Sequence, residues 1–224
     1  MGKLFAIEGT DGSGKQTQFN KLCDRLKSEG IDFKTVSFPN YNSNSSALVK
    51  MYLSGEFGKH ANDVNAYISS TFFAADRYAT FKTEGLEDYY NQGGIILADR
   101  YTTANMVHQA SKILGPAERQ KFLDWLLDFE FNLYKLPVPT RVFFLNMPTK
   151  YSIELMKNRE NKFTHEQKKD IHESDPEYLE QSYKAACSLV KQYNWCEIKC
   201  VKNDKIRTID DIHEEIYNEV KKYI

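Results

Sequence analysis

The chain has few of the features that mark disulfide-rich or membrane-spanning proteins. Its four cysteines include no CxxC pair and fall short of the density of a disulfide-stabilised secreted domain, so we expect reduced thiols and a cytoplasmic protein. No apolar run approaches the length needed to span a bilayer, and the amino terminus lacks a basic region followed by an apolar signal core. We therefore expect a soluble protein with no membrane partner.

An excess of charge of one sign is also absent. The 30 lysines and arginines nearly balance 31 aspartates and glutamates, giving a formal net charge of −1. This balance creates no overall field that attracts nucleic acid, so we expect no nucleic-acid partner, and any anion site must be local. The dispersed histidines form no metal-binding spacing, which predicts no structural zinc. The length allows one sizeable core, and we expect a single domain over residues 1–224.

What the sequence does contain is a phosphate-loop pattern close to its start, KLFAIEGTDGSGKQTQF. The apolar run 4–7 is typical of a buried strand, and Gly9, Gly12 and Gly14 allow successive backbone N–H groups to converge on an anion. Lys15 then opens a helical pattern, which places the positive end of a helix and a flexible ammonium beside the same anion. The stretch therefore predicts a site for nucleotide phosphates.

One position departs from the usual Walker A pattern. Gln16 stands where Ser or Thr normally offers a hydroxyl to Mg²⁺, and Thr17 comes one residue late. An ordinary glycine-rich strand-to-helix turn is the alternative interpretation. The three glycines, the lysine and the strand-before, helix-after context together favour the phosphate loop.

Beyond the loop, apolar runs alternate with helical patterns. The predicted strands are residues 4–7, 33–38, 95–98, 141–145 and 196–201, and the predicted helices include 47–53, 64–81, 152–159, 178–193 and 209–223. Five such runs separated by helices predict an α/β three-layer sandwich, a parallel sheet with helices on both faces. Residues 160–175 are highly charged and nearly free of aliphatic side chains, which is typical of an exposed, mobile lid.

Two groups of side chains fall at the carboxyl ends of predicted strands, where ligands bind in open parallel sheets. Asp99 could hold a magnesium-bound water, and Arg100 could fork onto phosphate oxygens. A strand-end salt bridge is the simpler alternative for this pair. Phe38 and Tyr41 offer a ring and a phenol at the neighbouring strand end, but a buried phenylalanine before a proline turn fits the Phe38 pattern equally well.

A further pair stands on the long predicted helix. Phe73 and Arg77 are four residues apart, so both project from one helix face and could sandwich and hydrogen-bond a flat heterocycle. An aromatic side chain at helical spacing is more often part of the core. Only the proximity of Arg77 favours a base-binding site.

Four motifs together point to one family. GTDGSGK, FPNY, FFAADRYATF and ADRYTTANMVHQ occur in the order and approximate spacing found in thymidylate kinases, and the chain resembles that family over nearly its whole length. The resemblance implies transfer of phosphate from ATP to dTMP, giving ADP and dTDP, with Mg²⁺ as the metal. It also implies a five-stranded parallel sheet of order 2-3-1-4-5, a lid at about 159–175 and a homodimer formed through helices.

The resemblance assigns roles residue by residue. ATP binding is implied for Gly9, Thr10, Asp11, Gly12, Ser13, Gly14, Lys15, Gln16, Thr17 and Arg159. dTMP binding is implied for Asp11, Phe38, Tyr41, Phe73, Arg77, Arg100, Asn105 and Glu173. Catalytic roles are implied for Asp11, Lys15, Arg100 and Arg159, and metal binding for Asp11, Asp99 and Glu173. Within this scheme the Phe73 ring stacks on thymine and Arg77 donates to its carbonyl.

Several positions differ from the family pattern. The family tolerates other residues at the position of Gln16, and Asp11 then does more of the metal work. His108 stands where relatives often carry an aromatic that screens ribose from deoxyribose, and His172 replaces a lid tyrosine or arginine. Two alternatives follow. One is another deoxynucleoside monophosphate or nucleoside kinase of the same fold, and the other is a non-catalytic nucleotide-binding module.

Overall fold

The computed structural model describes residues 1–160 and 176–224. Nearly all of the predicted lid, about 159–175, therefore lies outside the described residues, as do Glu173 and His172. Arg159 falls in the last turn of a described helix, but its side chain is outside the described part of the chain.

The centre of the fold is a five-stranded, all-parallel sheet. Its strands are β1 (Lys3–Glu8), β2 (Lys34–Ser37), β3 (Ile95–Asp99), β4 (Arg141–Asn146) and β5 (Cys196–Lys199). They lie in the order β2-β3-β1-β4-β5, which confirms the predicted sheet. In the register Ile7 pairs with Asp99 and Ser37 also pairs with Asp99, so the carboxyl ends of β1, β2 and β3 meet at one edge. The loops that follow these three strands form one crevice.

Helices connect the strands. They are α1 (Lys15–Ser28), α2 (Ala47–Leu53), α3 (Ala66–Thr83), α4 (Leu86–Asn91), α5 (Thr102–His108), α6 (Pro116–Leu127), α7 (Thr149–Glu160), α8 (Pro176–Gln192) and α9 (Ile209–Val220). Pro116 occupies the first turn of α6, where its missing N–H has no intrahelical partner to lose. Within residues 1–160 and 176–224, no helix combines the length and the apolar character needed to cross a bilayer.

Both faces of the sheet are packed, as the sequence predicts. Along β1, Leu4 and Ala6 belong to a cluster with residues of α3, α5, α6 and α8, whereas Phe5 and Ile7 belong to a second cluster with residues of α1 and α9. This alternation follows from the two-residue period of a strand, which sends successive side chains to opposite faces. The core therefore fixes the crevice edge from both sides of the sheet.

The last predicted strand is longer than the observed one. β5 ends at Lys199, and the chain continues into a separate hairpin of β6 (Val201–Lys202) and β7 (Lys205–Ile206). Asn203 and Asp204 connect these two strands with φ angles of 51° and 56°. Asn and Asp tolerate this left-handed backbone, which is the conformation that a two-residue hairpin turn requires.

Candidate active site

The glycine-rich loop joins β1 to α1 at the crevice edge. Gly12 and Gly14 have φ angles of 76° and 81°, a conformation that favours glycine. A Cβ atom on Gly12 would also lie 2.5 Å from the Ser152 carbonyl oxygen, so a larger residue does not fit there. Gly14 directly precedes α1, and the free N–H groups of that helix's first turn therefore face the loop.

Two hydroxyl groups of this loop are buried and available. Thr10 Oγ1 and Ser13 Oγ have no hydrogen-bond partner among the described residues, and each residue is 4% exposed. Buried polar groups are normally hydrogen-bonded, so two unpaired hydroxyl groups in one loop indicate a site where a ligand binds. Both hydroxyls can donate to phosphate oxygens.

Four charged side chains alternate in sign at the mouth of the loop. Lys15 Nζ lies 3.2 Å from Asp99 Oδ1, and Arg100 Nη2 donates to Asp11 Oδ1 at 2.6 Å. The Lys15–Asp99 contact lacks hydrogen-bond geometry, so Asp99 Oδ1 has no hydrogen-bond partner in the described part of the chain. Burial lowers the pKa of Lys15, and the charge of Arg100 lowers it further. The Arg100 Nη1 group also lies 2.9 Å from His108 Nε2.

The backbone of Arg100 is held in a rare conformation. Its φ angle is 65°, a left-handed value that is uncommon for a residue with a large side chain. The Arg100 N–H donates to the Ile7 carbonyl at 3.2 Å, and the next N–H, of Tyr101, donates to Glu8 Oε1 at 2.9 Å. Thr103 Oγ1 donates to the same Glu8 oxygen. These contacts aim the Arg100 side chain back over the phosphate loop.

Glu8 is a site residue that the sequence reasoning missed. It is 1% exposed, and burial raises the pKa of its carboxyl group despite the nearby Arg100. The signal was an acidic residue at the end of the apolar run of β1. The partners of that carboxyl group lie more than 90 residues away in the chain, so no local pattern identifies them.

The loop after β2 is tied to α3 through one buried aspartate. Asp76 Oδ2 accepts from the Asn40 N–H at 2.8 Å, and Asp76 Oδ1 accepts from Ser45 Oγ at 2.5 Å. Phe38 is 3% exposed and packs against the core rings of Phe81 and Tyr101, as the buried-phenylalanine alternative describes.

Tyr41 and Asn105 occupy different environments. Tyr41 is 53% exposed at the outer part of the loop. Asn105 is buried on α5, and its Nδ2 donates to the Ser70 carbonyl on α3 at 3.3 Å. Ser70 Oγ is itself buried with no hydrogen-bond partner among the described residues. The α3–α5 contact thus contains a buried hydroxyl group that no described residue satisfies.

Phe73 and Arg77 lie on the same side of α3, as their spacing predicts, but their surroundings differ. The Phe73 ring is half-buried and meets the Tyr52 ring edge-on, with centroids 6.1 Å apart. Arg77 is 1% exposed, and its guanidinium lies in a bidentate ion pair with Glu130. It also lies 5.9 Å from the Phe38 ring centroid. No local pattern in the sequence indicates Glu130, since its partner Arg77 is 53 residues away.

Gln16 points along its own helix. Its Nε2 donates to Asn20 Oδ1 at 2.9 Å, and both Gln16 and Thr17 are exposed. The structure therefore brings together Asp11, Lys15, Asp99 and Arg100 at the phosphate loop, with Gln16 outside that group. Alternating cations and carboxylates beside the N–H groups at the start of α1 can neutralise and orient phosphate oxygens.

The sequence is similar to those of several known proteins. The family model described as thymidylate kinase matches residues 7–216. A thymidylate kinase of Plasmodium falciparum is 26% identical over 222 residues, which cover 99% of this chain and 90% of that protein. A probable thymidylate kinase of Methanosphaera stadtmanae is 28% identical, with 98% of each chain covered.

Another relative has a higher sequence identity to this chain, but over a shorter alignment. A thymidylate kinase of Mycobacterium tuberculosis is 34% identical over 138 residues, which are 61% of this chain and 62% of that protein. The family match begins at the end of β1 and runs through the phosphate loop, α3 and α5 to α9. The chain belongs to the thymidylate kinase family.

Proposed function

We propose that the protein transfers the γ-phosphate of ATP to dTMP, giving ADP and dTDP. Family membership supports the reaction, and the observation that carries it is that α3 and α5 hold a second group of polar side chains, Ser70 and Asn105, in addition to the phosphate loop. A protein that only binds ATP has no need of the second site.

On the donor side, Lys15 and the loop N–H groups hold the ATP phosphates, together with the hydroxyls of Thr10 and Ser13. We assign charge neutralisation between donor and acceptor phosphates to Arg100. In the structure Arg100 is paired with Asp11, whose carboxylate holds the guanidinium beside the phosphate loop. When the substrate binds, phosphate oxygens take the place of this carboxylate as the acceptors of the Arg100 hydrogen bonds. In-line phosphoryl transfer requires mainly such alignment and electrostatic stabilisation. Gln16 and Thr17, in the first turn of α1, and Arg159 are assigned to the ATP phosphates from the family pattern.

The carboxylates of Asp11 and Asp99 fit Mg²⁺. Both lie beside the loop, and one oxygen of Asp99 has no hydrogen-bond donor among the described residues. Mg²⁺ commonly uses only one or two protein carboxylates together with substrate phosphates, and it neutralises phosphate charge when bound. We assign Glu173 to the same metal from the family pattern.

On the acceptor side, we assign thymine stacking to Phe73 and donation to a base carbonyl to Arg77. Asn105 is assigned to the base edge and Tyr41 to the sugar-phosphate pocket, with the core ring of Phe38 packed behind that pocket. The half-buried ring of Phe73 and the unpaired hydroxyl of Ser70 support a pocket between α3 and α5.

A coupled ADP-release assay tests the reaction. With ATP, Mg²⁺ and a panel of nucleosides and monophosphates, we expect dTMP to be the best acceptor, dUMP weaker and thymidine inert. A purine monophosphate or a nucleoside as the best acceptor would contradict the assignment and favour another kinase of the same fold.

The outward position of Gln16 favours a second candidate, a non-catalytic nucleotide-binding module. Calorimetry separates the two. The proposed enzyme binds both ATP and dTMP, whereas the module binds ATP alone and shows no turnover.

We further propose that the chain is a single kinase domain that forms a cytoplasmic homodimer. Exposed apolar side chains on neighbouring helices support a self-contact: Leu48 on α2 is 46% exposed and Ile68 on α3 is 54% exposed. The four cysteines are free thiols, which suits a reducing compartment. Light scattering should give the mass of two 26.0 kDa chains, and Ile68→Glu should halve it. Cell fractionation tests the location.

A further inference from the structure

We propose that Glu130 is a positioning residue that fixes the guanidinium of Arg77 and thereby sets the base selectivity of the acceptor site. The inference rests on the proposed function, because it concerns how that acceptor site recognises a base. It adds a residue that lies far from the recognised motifs.

The contact is a two-point clamp. Arg77 Nε donates to Glu130 Oε2 at 2.7 Å, and Arg77 Nη2 donates to Glu130 Oε1 at 2.5 Å. A third group, Thr102 Oγ1, donates to Oε2 at 2.7 Å. Two parallel bonds fix the plane of the guanidinium as well as its position, and the third bond fixes the carboxylate. Rotation of the arginine therefore requires breaking several charge-assisted hydrogen bonds.

Burial makes the clamp rigid. Arg77 is 1% exposed, while Glu130 and Thr102 are 0% exposed. The three residues come from different elements: Arg77 from α3, Thr102 from the first turn of α5, and Glu130 from the segment after α6. Water cannot compete for these donors, so the alternatives to the clamp are unpaired buried charges. The clamp thus ties the two helices that flank the proposed base pocket.

The backbone around Glu130 is unusual in the same place. The segment Asp128–Leu133 continues α6 as a π-helical turn, with the Tyr134 N–H donating to the Phe129 carbonyl at 3.0 Å. Such turns are rare and occur frequently at functional sites. The widened turn changes the angular order of side chains around the helix, and here it accompanies an acidic side chain that enters the core.

The clamp leaves a defined set of donors. A guanidinium has five N–H groups, and Glu130 takes two of them. Arg77 Nη1 makes no hydrogen bond in the described part of the chain. Its N–H groups are therefore left without an acceptor, on the edge of the guanidinium that the Nε–Nη2 clamp does not cover.

A fixed donor edge discriminates between pyrimidines. Thymine and uracil present a carbonyl oxygen where cytosine presents an amino group, which is a donor itself. If cytosine binds, its amino group faces the Arg77 guanidinium, and both donors remain unpaired in a buried site. Sites that hydrogen-bond one group of a substrate strongly reject analogues that lack this group for the same reason. A guanidinium that could turn away would avoid that penalty. Glu130 therefore supplies the selectivity by preventing the turn.

The test compares dTMP with dCMP in the coupled assay. For Glu130→Gln we expect KM for dTMP to rise about tenfold or more, and the dTMP/dCMP ratio of kcat/KM to fall about tenfold or more. KM for ATP should stay within about twofold, since the ATP phosphates lie at the other side of the crevice. Glu130→Asp keeps the charge but is one methylene too short for both bonds, so it should show the same split.

Glu29 offers a matched control. Its carboxylate also accepts from an arginine and a hydroxyl, with Arg25 Nε at 2.7 Å and the Tyr217 hydroxyl at 2.6 Å. This group lies where α1 meets α9, away from the crevice. Glu29→Gln should leave both the selectivity ratio and KM for dTMP unchanged within about twofold.

The outcomes separate the two proposals. If the wild-type protein does not phosphorylate dTMP, the proposed function fails before any variant is made. If it does, but soluble Glu130 variants keep the wild-type ratio and KM for dTMP, Glu130 is only structural and the inference is overturned. Should neither Glu130 variant fold, Thr102→Val retains the ion pair and frees the carboxylate: a rise of about threefold in KM for dTMP supports the inference, and no change overturns it.

Discussion

The two sides of the crevice hold their charges in different ways. On the phosphate side, the Arg100–Asp11 pair has both side chains 18% exposed, and Lys15 and Asp99 are 14% and 9% exposed. On the base side, Arg77 and Glu130 are 1% and 0% exposed. Partly hydrated charges can exchange partners when phosphates arrive, whereas a dry ion pair keeps its geometry. The first arrangement suits a site where charge moves, and the second suits the proposed recognition of a base by its hydrogen-bonding groups.

The buried Arg77–Glu130 pair need not add to the stability of the fold to be useful. Buried ion pairs often add little to stability, because desolvation offsets the Coulomb attraction. Removing one partner is costly, since it leaves an uncompensated buried charge. The role proposed for this pair is recognition: it holds the unused donors of Arg77 in a fixed position.

The largest expected effect is on the phosphate side. Arg100→Ala should lower kcat by about 10³-fold or more, as for other charge-stabilising groups in phosphoryl transfer. The coupled assay measures the loss, and circular dichroism checks the fold. Arg25→Ala serves as the control, because Arg25 lies on α1 beside Glu29 and Tyr217. Equal losses for both arginines would contradict the assigned role.

Two loop variants should differ sharply. Asp11→Ala should cost about a hundredfold or more and raise the Mg²⁺ concentration for half-maximal activity, because a charge-organising carboxylate is lost. Gln16→Thr should change the rate by less than about tenfold, since Gln16 is exposed and paired with Asn20. A mild effect of Asp11→Ala with strong activation by Gln16→Thr would indicate an impaired loop and favour the binding-module alternative.

The base side should respond to Phe73→Ala. We expect dTMP binding to weaken by about 1–3 kcal/mol, as for other base–aromatic stacks, with ATP affinity nearly unchanged. Calorimetry with each nucleotide measures both. Equal losses for the two substrates would show that the Phe73 ring, which meets Tyr52 edge-on, acts only in the core.

The last effect concerns the stability of the fold and leaves the catalytic groups untouched. Burial lowers the pKa of Lys112 to about 7, and its Nζ donates to the Tyr52 hydroxyl at 2.8 Å and to Ser69 Oγ of α3 at 3.3 Å. Because the unfolded chain binds this proton up to a higher pH, the group's destabilising contribution is largest below about pH 7 and is relieved as pH rises toward the unfolded pKa.

The pH dependence can be isolated with one variant. The unfolding free energy of the wild type, relative to Lys112→Met, should rise between pH 7 and pH 10 by at most about 1.4 kcal/mol per pH unit. Urea titrations at several pH values measure it. A flat difference would show that Lys112 titrates normally in the folded protein.

The two sides also differ in how far the sequence predicts them. The phosphate loop is local: its glycines, Lys15 and the flanking strand and helix lie within one short stretch, and the sheet order follows from the family resemblance. The clamp is not local. Glu130 reaches Arg77 across 53 residues and Thr102 across 28, through a π-helical turn that no spacing rule indicates. The spacing of Phe73 and Arg77 predicts that they share a face of α3, but it does not predict that Arg77 is buried and Phe73 only half-buried.

The left-handed backbone of Arg100 could not be predicted from the sequence either. The left-handed Arg100 depends on Glu8, whose partners lie at the start of another helix. The last strand was predicted too long because Val201 continues the apolar alternation of β5, whereas the turn at Asn203 and Asp204 pairs it with Ile206 instead. Long-range pairing decided each of these cases.

Phosphorus NMR of the wild-type protein with ATP, dTMP and Mg²⁺ tests the central claim most directly, because it identifies the product instead of counting ADP. Phosphoryl transfer across the crevice predicts that the resonances of dTDP grow in step with those of ADP while the dTMP signal declines. Release of inorganic phosphate without dTDP, or binding without any turnover, would contradict it.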